Sequence, residues 1–151
     1  MIVYNNSKGA DILAFPGPIV NPINCLGVSG AGLAYQIAKR WPSVSQAVHP
    51  AGIKGKIRIG SVFSVKMEEP TEWVLCVPTK RHWNDPSQLA DVVAGIEALR
   101  IEAERLRLAT LAVPQLGCGL GGLRWEVVRP EIEQAFSGWN GRLVVYGEKA
   151  R

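Results

Sequence analysis

The sequence has little cysteine or histidine, and neither residue type is arranged for metal binding or for a disulfide framework. Cys25, Cys76, Cys118, His49 and His82 are the only such residues, and they lie far apart along the chain. Disulfide scaffolds use paired cysteines, and zinc sites use ligands at short, regular spacing. We therefore expect neither structural disulfides nor a metal or other cofactor.

Long hydrophobic runs are also absent from the sequence. No stretch reaches the roughly 18 uninterrupted apolar residues of a membrane span. The N-terminus lacks a basic segment followed by an apolar signal core. We therefore expect no membrane association and a cytoplasmic location. We also expect one domain over residues 1–151, because a chain of this length with 47% apolar residues can bury a substantial core. The formal net charge of +4 is compatible with a polyanionic partner without establishing one.

Six short apolar runs, rich in β-branched residues, predict strands that are covered on both faces. The runs are residues 2–4, 19–23, 61–65, 73–77, 109–116 and 143–146. Helical patterns lie between them, which indicates an α/β fold with a largely parallel sheet between helices. Ligands of such sheets bind at the carboxyl ends of the strands.

Three helices are predicted between these strands. The first covers residues 33–41 and ends before Pro42. The longest follows residues 85–88, whose sequence Asp-Pro-Ser-Gln we interpret as an N-cap, a first-turn proline and a capping box. The last helix begins at either Trp125 or Pro130.

The loop at residues 21–32 leaves a predicted strand and enters the first helix. Its glycines at 27, 30 and 32 allow backbone N–H groups to approach a ligand, and a helix N-terminus favours anions. Asn24 can both donate and accept hydrogen bonds, as a ribose diol requires. On this loop alone, a tight strand-to-helix turn is an equally good interpretation.

The loop at residues 114–122 contains four glycines between positions 117 and 122. Each glycine increases the entropy lost on folding, so a backbone nest for a diphosphate explains the loop better than a bare connection does. Gly117, Gly119 and Gly122 also match G-x-G-x-x-G. That fingerprint belongs in the first βα turn of a Rossmann unit, and here a single predicted strand follows, so we reject it.

The loop at residues 77–84 ends a strand with a dense set of polar and aromatic residues. A lysine there, Lys80, can hold an anion or act as a nucleophilic amine if it is desolvated. A solvated lysine is the commoner case, and only the two glycine-rich loops favour the functional interpretation. Lys54, Lys56 and Arg58 form a basic patch, for which phosphate contacts and plain solvation both stay open.

Together these segments resemble the macrodomain family, and within it the DarG branch of antitoxins that reverse DNA ADP-ribosylation by DarT transferases. The likeness rests on residues 20–25, 27–34, 78–83 and 114–123 with Trp125. The Pro-Thr-Lys-Arg-His-Trp segment at 78–83 is the most specific part. Terminal ADP-ribose protein glycohydrolases are near relatives.

The resemblance implies a three-layer α/β/α sandwich around a mixed, largely parallel six-stranded sheet, with ADP-ribose as ligand and product. The residues expected to bind ADP-ribose are Asp11, Ile12, Asn24, Gly30, Ala31, Gly32, Thr79, Gly117, Cys118, Gly119, Leu120 and Gly121. Catalysis is assigned to Lys80, with Asn24 at the distal ribose. Arg81, His82 and Trp83 are expected to contact the substrate or nucleic acid.

The implied activity is a glycohydrolase that removes ADP-ribose from modified DNA, linked to thymidine in single strands. Lys80 would attack the opened sugar as an amine or stabilise the departing group as a cation. The protein-directed relatives carry an aspartate where this chain has Gly121, which favours DNA. The alternatives are a hydrolase of mono-ADP-ribosylated proteins, a phosphatase of ADP-ribose 1″-phosphate and a reader without turnover.

The resemblance also carries expectations about partners and about the extent of the chain. The partners are modified DNA or protein and a cognate DarT-like transferase, and we expect a monomer. Full-length DarG proteins carry a further toxin-binding domain, for which 151 residues leave no room. We therefore expect either an excised macrodomain or a stand-alone hydrolase.

Overall fold

The computed structural model describes residues 1–148 and contains one six-stranded sheet. The strands are β1 (Ile2–Tyr4), β2 (Ile19–Asn24), β3 (Phe63–Lys66), β4 (Trp73–Lys80), β5 (Thr110–Val113) and β6 (Arg142–Val145). Their order is β1-β6-β5-β2-β4-β3, and all neighbours are parallel except the antiparallel pair β3 and β4. The predicted mixed, largely parallel six-stranded sheet is confirmed.

Four α-helices and one short 3-10 helix connect the strands of the described chain. The α-helices are α1 (Gly32–Arg40), α2 (Pro42–Ile53), α3 (Leu89–Arg105) and α4 (Trp125–Ala135), and the 3-10 helix covers Ile12–Ala14. Between residues 1 and 148, no helix combines the length and the apolar character that crossing a membrane requires.

Each face of the sheet has its own apolar core, because successive side chains of a strand point to opposite faces. Along β4, Leu75 and Val77 pack in the core that α3 and α4 share. Val74 and Cys76 pack instead in the core that contains residues of α1 and α2. Two cores with helices outside both define the α/β/α sandwich, as the resemblance implied.

Helix α2 is the element that the sequence pattern does not predict. Pro42 does end α1, but it also occupies the first position of α2, where its missing N–H group has no intrahelical partner to lose. Val44 and Val48 are buried at four-residue spacing, which is a helical signal. Residues 42–53 contain no charged side chain, so the usual contrast between a polar and an apolar face is weak there.

The capping box proposed for residues 85–88 is wrong. Helix α3 begins at Leu89, and within the described chain the side chain of Gln88 makes no capping hydrogen bond. The backbone N–H of Ser87 donates instead to the carbonyl of Gly121 at 2.9 Å. This long-range bond holds the segment against the glycine-rich loop and outside the helix.

The other boundaries differ from the prediction by a few residues. Helix α4 begins at Trp125, the earlier of the two predicted starts, and Pro130 lies inside it. The strand predicted at 109–116 ends at Val113. The next residue, Pro114, has no backbone N–H group with which to continue the ladder.

Helix α3 lies very close to β4, the strand that ends at Lys80. A Cβ atom built on Gly95 would lie 2.7 Å from Cγ1 of Val77. We predict that Gly95→Ala lowers the free energy of unfolding by about 1–3 kcal/mol, because the helix must move away from the strand. This direction opposes helix propensity, which favours alanine over glycine by roughly 1 kcal/mol. Urea unfolding measures the difference.

The same substitution in a Val77→Ala background is the matched control, because truncating Val77 removes the atom that a new Cβ would meet. In that background Gly95→Ala should cost far less free energy, or stabilise the helix. An equal cost in both backgrounds would show that this contact does not set the distance between α3 and β4.

Candidate active site

The three loops that the sequence singled out follow neighbouring strands. Strand β2 lies between β5 and β4 and is parallel to both. The carboxyl ends of these strands therefore meet at one edge of the sheet. Residues 25–31, 81–88 and 114–124 leave the strands at that edge.

Lys80 and Asn24 are register partners at the ends of β4 and β2. The register shifts after Ile23, and the backbone N–H of Cys25 donates to the carbonyl of Lys80 at 3.1 Å. Asn24 is buried, whereas Lys80 is half-buried. Across residues 1–148 the ammonium group of Lys80 forms no ion pair. The backbone of Lys80 is thus held by β2 while its charge is available to a ligand.

The carboxamide of Asn24 shapes the loop that follows it, a role that sequence reasoning missed. Its Oδ1 accepts hydrogen bonds from the N–H groups of Leu26 at 3.1 Å and Val28 at 3.2 Å. Its Nδ2 donates to the carbonyl of Val28 at 2.8 Å. One N–H of the amide is left for a ligand. The only sequence signal was asparagine at a strand end before a turn, where such side chains often bond to nearby backbone.

Thr79 is the extra residue of the irregular pairing between β4 and β2. The register passes from Ile23 opposite Pro78 to Asn24 opposite Lys80 and skips Thr79. Its hydroxyl is buried and donates to the carbonyl of Ile23 at 3.5 Å. Thr79 therefore links β4 to β2 just before Asn24 and Lys80.

Helix α1 presents free backbone N–H groups to the same edge. The N-cap residue Ala31 forms no capping hydrogen bond through its side chain within the described chain, and the first helical bond runs from Tyr35 N to Ala31 O at 3.3 Å. The N–H groups of residues 32–34 have no intrahelical acceptor. Within Gly32–Arg40 the first turn has no acidic residue, so nothing offsets the positive end of the helix dipole. This end, with Gly30 before it, suits an anion.

The glycine-rich loop at 117–121 faces the start of α1. A Cβ atom on Gly32 would lie 3.5 Å from Cδ1 of Leu120, so the two loops are in contact. In the described part of the chain, the backbone N–H groups of Gly119, Leu120 and Gly121 donate to no protein acceptor. Free N–H groups on two loops in contact with each other suit a diphosphate.

This loop is tightly packed at one glycine and open at another. A Cβ atom on Gly121 would overlap Oγ of Ser87 and would lie 2.5 Å from the carbonyl oxygen of Gly117. Gly117 itself has a φ of +74°, which glycine adopts most readily. A Cβ atom on Gly119 would meet no atom of the described residues within 4 Å. Gly117 and Gly121 therefore shape the loop, while Gly119 is open to a ligand.

The cysteines in these loops are not activated as nucleophiles. Burial raises the pKa of the Cys118 thiol to about 11, and the carboxylate of Glu126 adds to this effect. Burial also raises the pKa of the Cys25 thiol, although the guanidinium of Arg81 opposes it. Reactive cysteines have a lowered pKa, so both thiols stay protonated at neutral pH.

The residues after Lys80 are exposed. Arg81 forms an ion pair with Asp91 of α3 at 2.5 Å. The rings of His82 and Trp83 pack together with centroids 5.1 Å apart and an interplanar angle of 33°. Trp83 is 54% exposed. An exposed aromatic ring beside cationic side chains is a surface on which a nucleobase can stack.

Asp11 and Ile12 lie further along the edge, after β1. The carboxylate of Asp11 caps the 3-10 helix by accepting a hydrogen bond from Leu13 N at 3.0 Å. Ile12 is buried in the core that α1 and α2 share. A cavity of about 860 Å³ adjoins them, with Ala10 and Tyr146 in its lining. The core around Ile12 also contains Ile23, the residue before Asn24, and Ile37 of α1.

Known proteins share this architecture. Residues 20–132 match the family described as Macro domain. The DNA ADP-ribosyl glycohydrolase of Mycobacterium tuberculosis is 39% identical over 140 residues, which are 90% of this chain and 39% of that protein. The "DNA ADP-ribosyl transferase-DNA ADP-ribosyl glycohydrolase fusion protein" of Thermosipho africanus is 31% identical over 125 residues, 72% of this chain and 32% of that protein.

The solved macrodomain of Mycobacterium tuberculosis DarG superposes with a TM-score of 0.91 at 35% identity, covering 99% of both chains. The chain spans about 39% of the length of the mycobacterial glycohydrolase. The family match and these similarities show that the chain belongs to the macrodomain family.

Proposed function

We propose that this macrodomain is an ADP-ribosyl glycohydrolase that removes ADP-ribose from thymidine-modified DNA, with Lys80 as its catalytic residue. The observation that carries the proposal is the position of Lys80. It ends β4 next to Asn24, at the edge where two loops present free backbone N–H groups. Similarity to a protein named DNA ADP-ribosyl glycohydrolase supports the same conclusion.

The proposed complex follows the chemistry of the edge. The diphosphate of ADP-ribose lies between the start of α1 and the loop at 117–121, where the backbone N–H groups are free. The distal ribose then lies at Asn24 and Lys80. The adenosine half extends toward Asp11 and the neighbouring cavity lined by Tyr146.

The reaction breaks the bond between the anomeric carbon of the distal ribose and the modified base, through a transition state with oxocarbenium character. Lys80 can take part in two ways. Its amine can attack the anomeric carbon, so that the bond to the modified base breaks and the base leaves with its nitrogen protonated. The sugar ring then opens to a Schiff base with Lys80, which water hydrolyses to ADP-ribose and the free amine. Alternatively, its ammonium group can stabilise charge on the departing group.

The packing of Gly121 supports a DNA substrate. Protein-directed relatives carry an aspartate at this position, and here a side chain would overlap Ser87 Oγ. A second catalytic carboxylate therefore has no room in this loop conformation. The exposed ring of Trp83 offers a stacking surface for a base near Lys80.

A cognate ADP-ribosyltransferase is the partner that we propose for the protein containing this chain. The relative from Thermosipho africanus is named as a fusion of a DNA ADP-ribosyl transferase with a DNA ADP-ribosyl glycohydrolase. Two opposing activities in one polypeptide support an antitoxin role, in which the glycohydrolase reverses the modification that the transferase makes.

We predict that Lys80→Ala slows release of ADP-ribose from a thymidine-modified single-stranded oligonucleotide by at least about 100-fold, because the catalytic amine is lost. Single-turnover release measures this rate. Calorimetry should show that free ADP-ribose still binds, because the diphosphate contacts are backbone groups. Lys66→Ala is the control, since Lys66 ends the antiparallel strand β3 at the opposite edge of the sheet. If the wild type binds ADP-ribose but releases none from the oligonucleotide, the enzyme proposal is wrong and a reader without turnover is favoured.

A matched pair of substitutions tests the glycine-rich loop. Gly121→Ala should weaken ADP-ribose binding by roughly tenfold or more, a loss of about 1.4 kcal/mol, because the loop must shift to admit the methyl group. It should also lower the free energy of unfolding by about 1–3 kcal/mol. Gly119→Ala should change the free energy of unfolding by less than about 0.5 kcal/mol. Equal destabilisation by both would contradict the described packing.

A further inference from the structure

A second group of cations lies beside the Lys80 edge, on the segment that connects α2 to β3. We call residues 54–60 the basic loop. Lys54, Lys56 and Arg58 are all exposed, and none of them forms an ion pair with any residue between 1 and 148. The loop contains no acidic residue. Nothing in the proposed ADP-ribose site uses these charges.

Contacts place the basic loop against the loop that follows β2. At the end of α2, a Cβ atom on Gly52 would overlap the carbonyl of Leu26, so the two backbones touch. Further along, the backbone of Ile59 lies near enough to the Cys25 thiol to lower its pKa, against the larger effect of burial. Cys25 in turn donates its backbone N–H to Lys80. Two residue contacts therefore separate the basic loop from the catalytic lysine.

The basic loop is anchored so that its cationic side chains face solvent. Ile57 is 4% exposed and belongs to a core cluster, and Ile59 is half-buried. Lys56 and Arg58 alternate with these anchors and are exposed. A turn in which Ser61 donates two hydrogen bonds to the carbonyl of Arg58 closes the segment. A held loop loses less entropy on binding than a free one does.

The surrounding charges keep this surface cationic. Arg81 and Asp91 form an ion pair with each other, and both act electrostatically on Cys25, the residue that lies near Ile59. Asp91 is therefore already paired and does not neutralise Lys54, Lys56 or Arg58. The loop presents unpaired positive charge on one side of the Lys80 edge.

We propose that the basic loop contacts the phosphates of the single-stranded DNA that flanks the ADP-ribosylated base. This inference rests on the proposed function, because it takes DNA as the polymer at Lys80. Phosphate contacts by lysine and arginine supply affinity that falls with salt, by a slope of about 0.7 per contact for single strands. They position the strand and carry no sequence information. The loop thus raises affinity for long substrates and leaves the chemistry at Lys80 unchanged.

The test compares two triple variants of the whole chain. Lys54→Ala/Lys56→Ala/Arg58→Ala removes the cations of the basic loop. Lys66→Ala/Arg107→Ala/Arg142→Ala is the control: it removes the same charge from three exposed residues at the opposite end of the sheet's strands. Thermal unfolding checks that both variants fold. The substrates are ADP-ribosylated thymidine and an ADP-ribosylated single-stranded oligonucleotide that extends several nucleotides to both sides.

The basic-loop variant should raise KM for the oligonucleotide on the order of tenfold at low salt, with kcat and the turnover of the nucleoside unchanged. Its salt slope should fall by about 2. The control should match the wild type in all of these. Equal KM values for both triple variants would overturn the inference, as would an equal loss on nucleoside and oligonucleotide, which would mean that the loop only supports the site.

Fluorescence anisotropy with an unmodified single-stranded oligonucleotide separates this inference from the proposed function. If the wild type releases no ADP-ribose but binds the oligonucleotide through the basic loop, the enzyme proposal fails and the DNA contact stands. If release is normal and neither triple variant weakens DNA binding, the enzyme proposal stands and the basic loop is not a DNA contact.

Discussion

The pairing of β2 with β4 is the constraint on which the rest of the site depends. Register partners run from Ile19 to Asn24 along β2, and the last pair joins Asn24 to Lys80. Because β2 also lies beside β5, one central strand brings three loops to a common edge. Each loop contributes a different chemical group: an amide with free backbone N–H groups, a lysine, and a second row of free N–H groups. Moving β2 by one residue would break the pairing of Asn24 with Lys80.

Glycine residues allow the elements around the site to pack closely. Gly95 lets α3 approach β4, Gly121 lets its loop lie on Ser87, and Gly52 lets α2 lie against Leu26. At each of these places the backbone is closer than a Cβ atom allows. The loops are therefore held before a ligand arrives, and their N–H groups need little rearrangement to meet an anion. Pre-organisation of this kind lowers the entropy lost on binding.

Local patterns in the sequence predicted the strands and the glycine-rich loops, because strand period, glycine content and strand ends are properties of neighbouring residues. They failed where distant residues decide the structure. Ser87 leaves the predicted capping box because it bonds to Gly121, which is far away in the sequence. Helix α2 lacks the charged face that marks most surface helices. Burial of its apolar residues against the sheet determines which side of the helix faces the core. The position of the basic loop beside Cys25 likewise depends on tertiary contacts, which the spacing of residues in the sequence does not predict.

Backbone groups and side chains at this edge of the sheet recognise different parts of the substrate in the proposed complex. In the proposed complex, backbone N–H groups meet the diphosphate of ADP-ribose, and a backbone group cannot be exchanged without changing the path of its loop. Exposed side chains, among them Trp83 and the cations of the basic loop, meet the polymer instead, and they can be substituted while the fold is kept. Surface substitutions can therefore adjust how the polymer is bound in the proposed complex without changing the ADP-ribose site. The packing of Gly121 is the exception, because a carboxylate there requires a different loop. Under the proposed function, substrate class is therefore restricted at one buried glycine, and the binding of the polymer is adjustable at the surface around it.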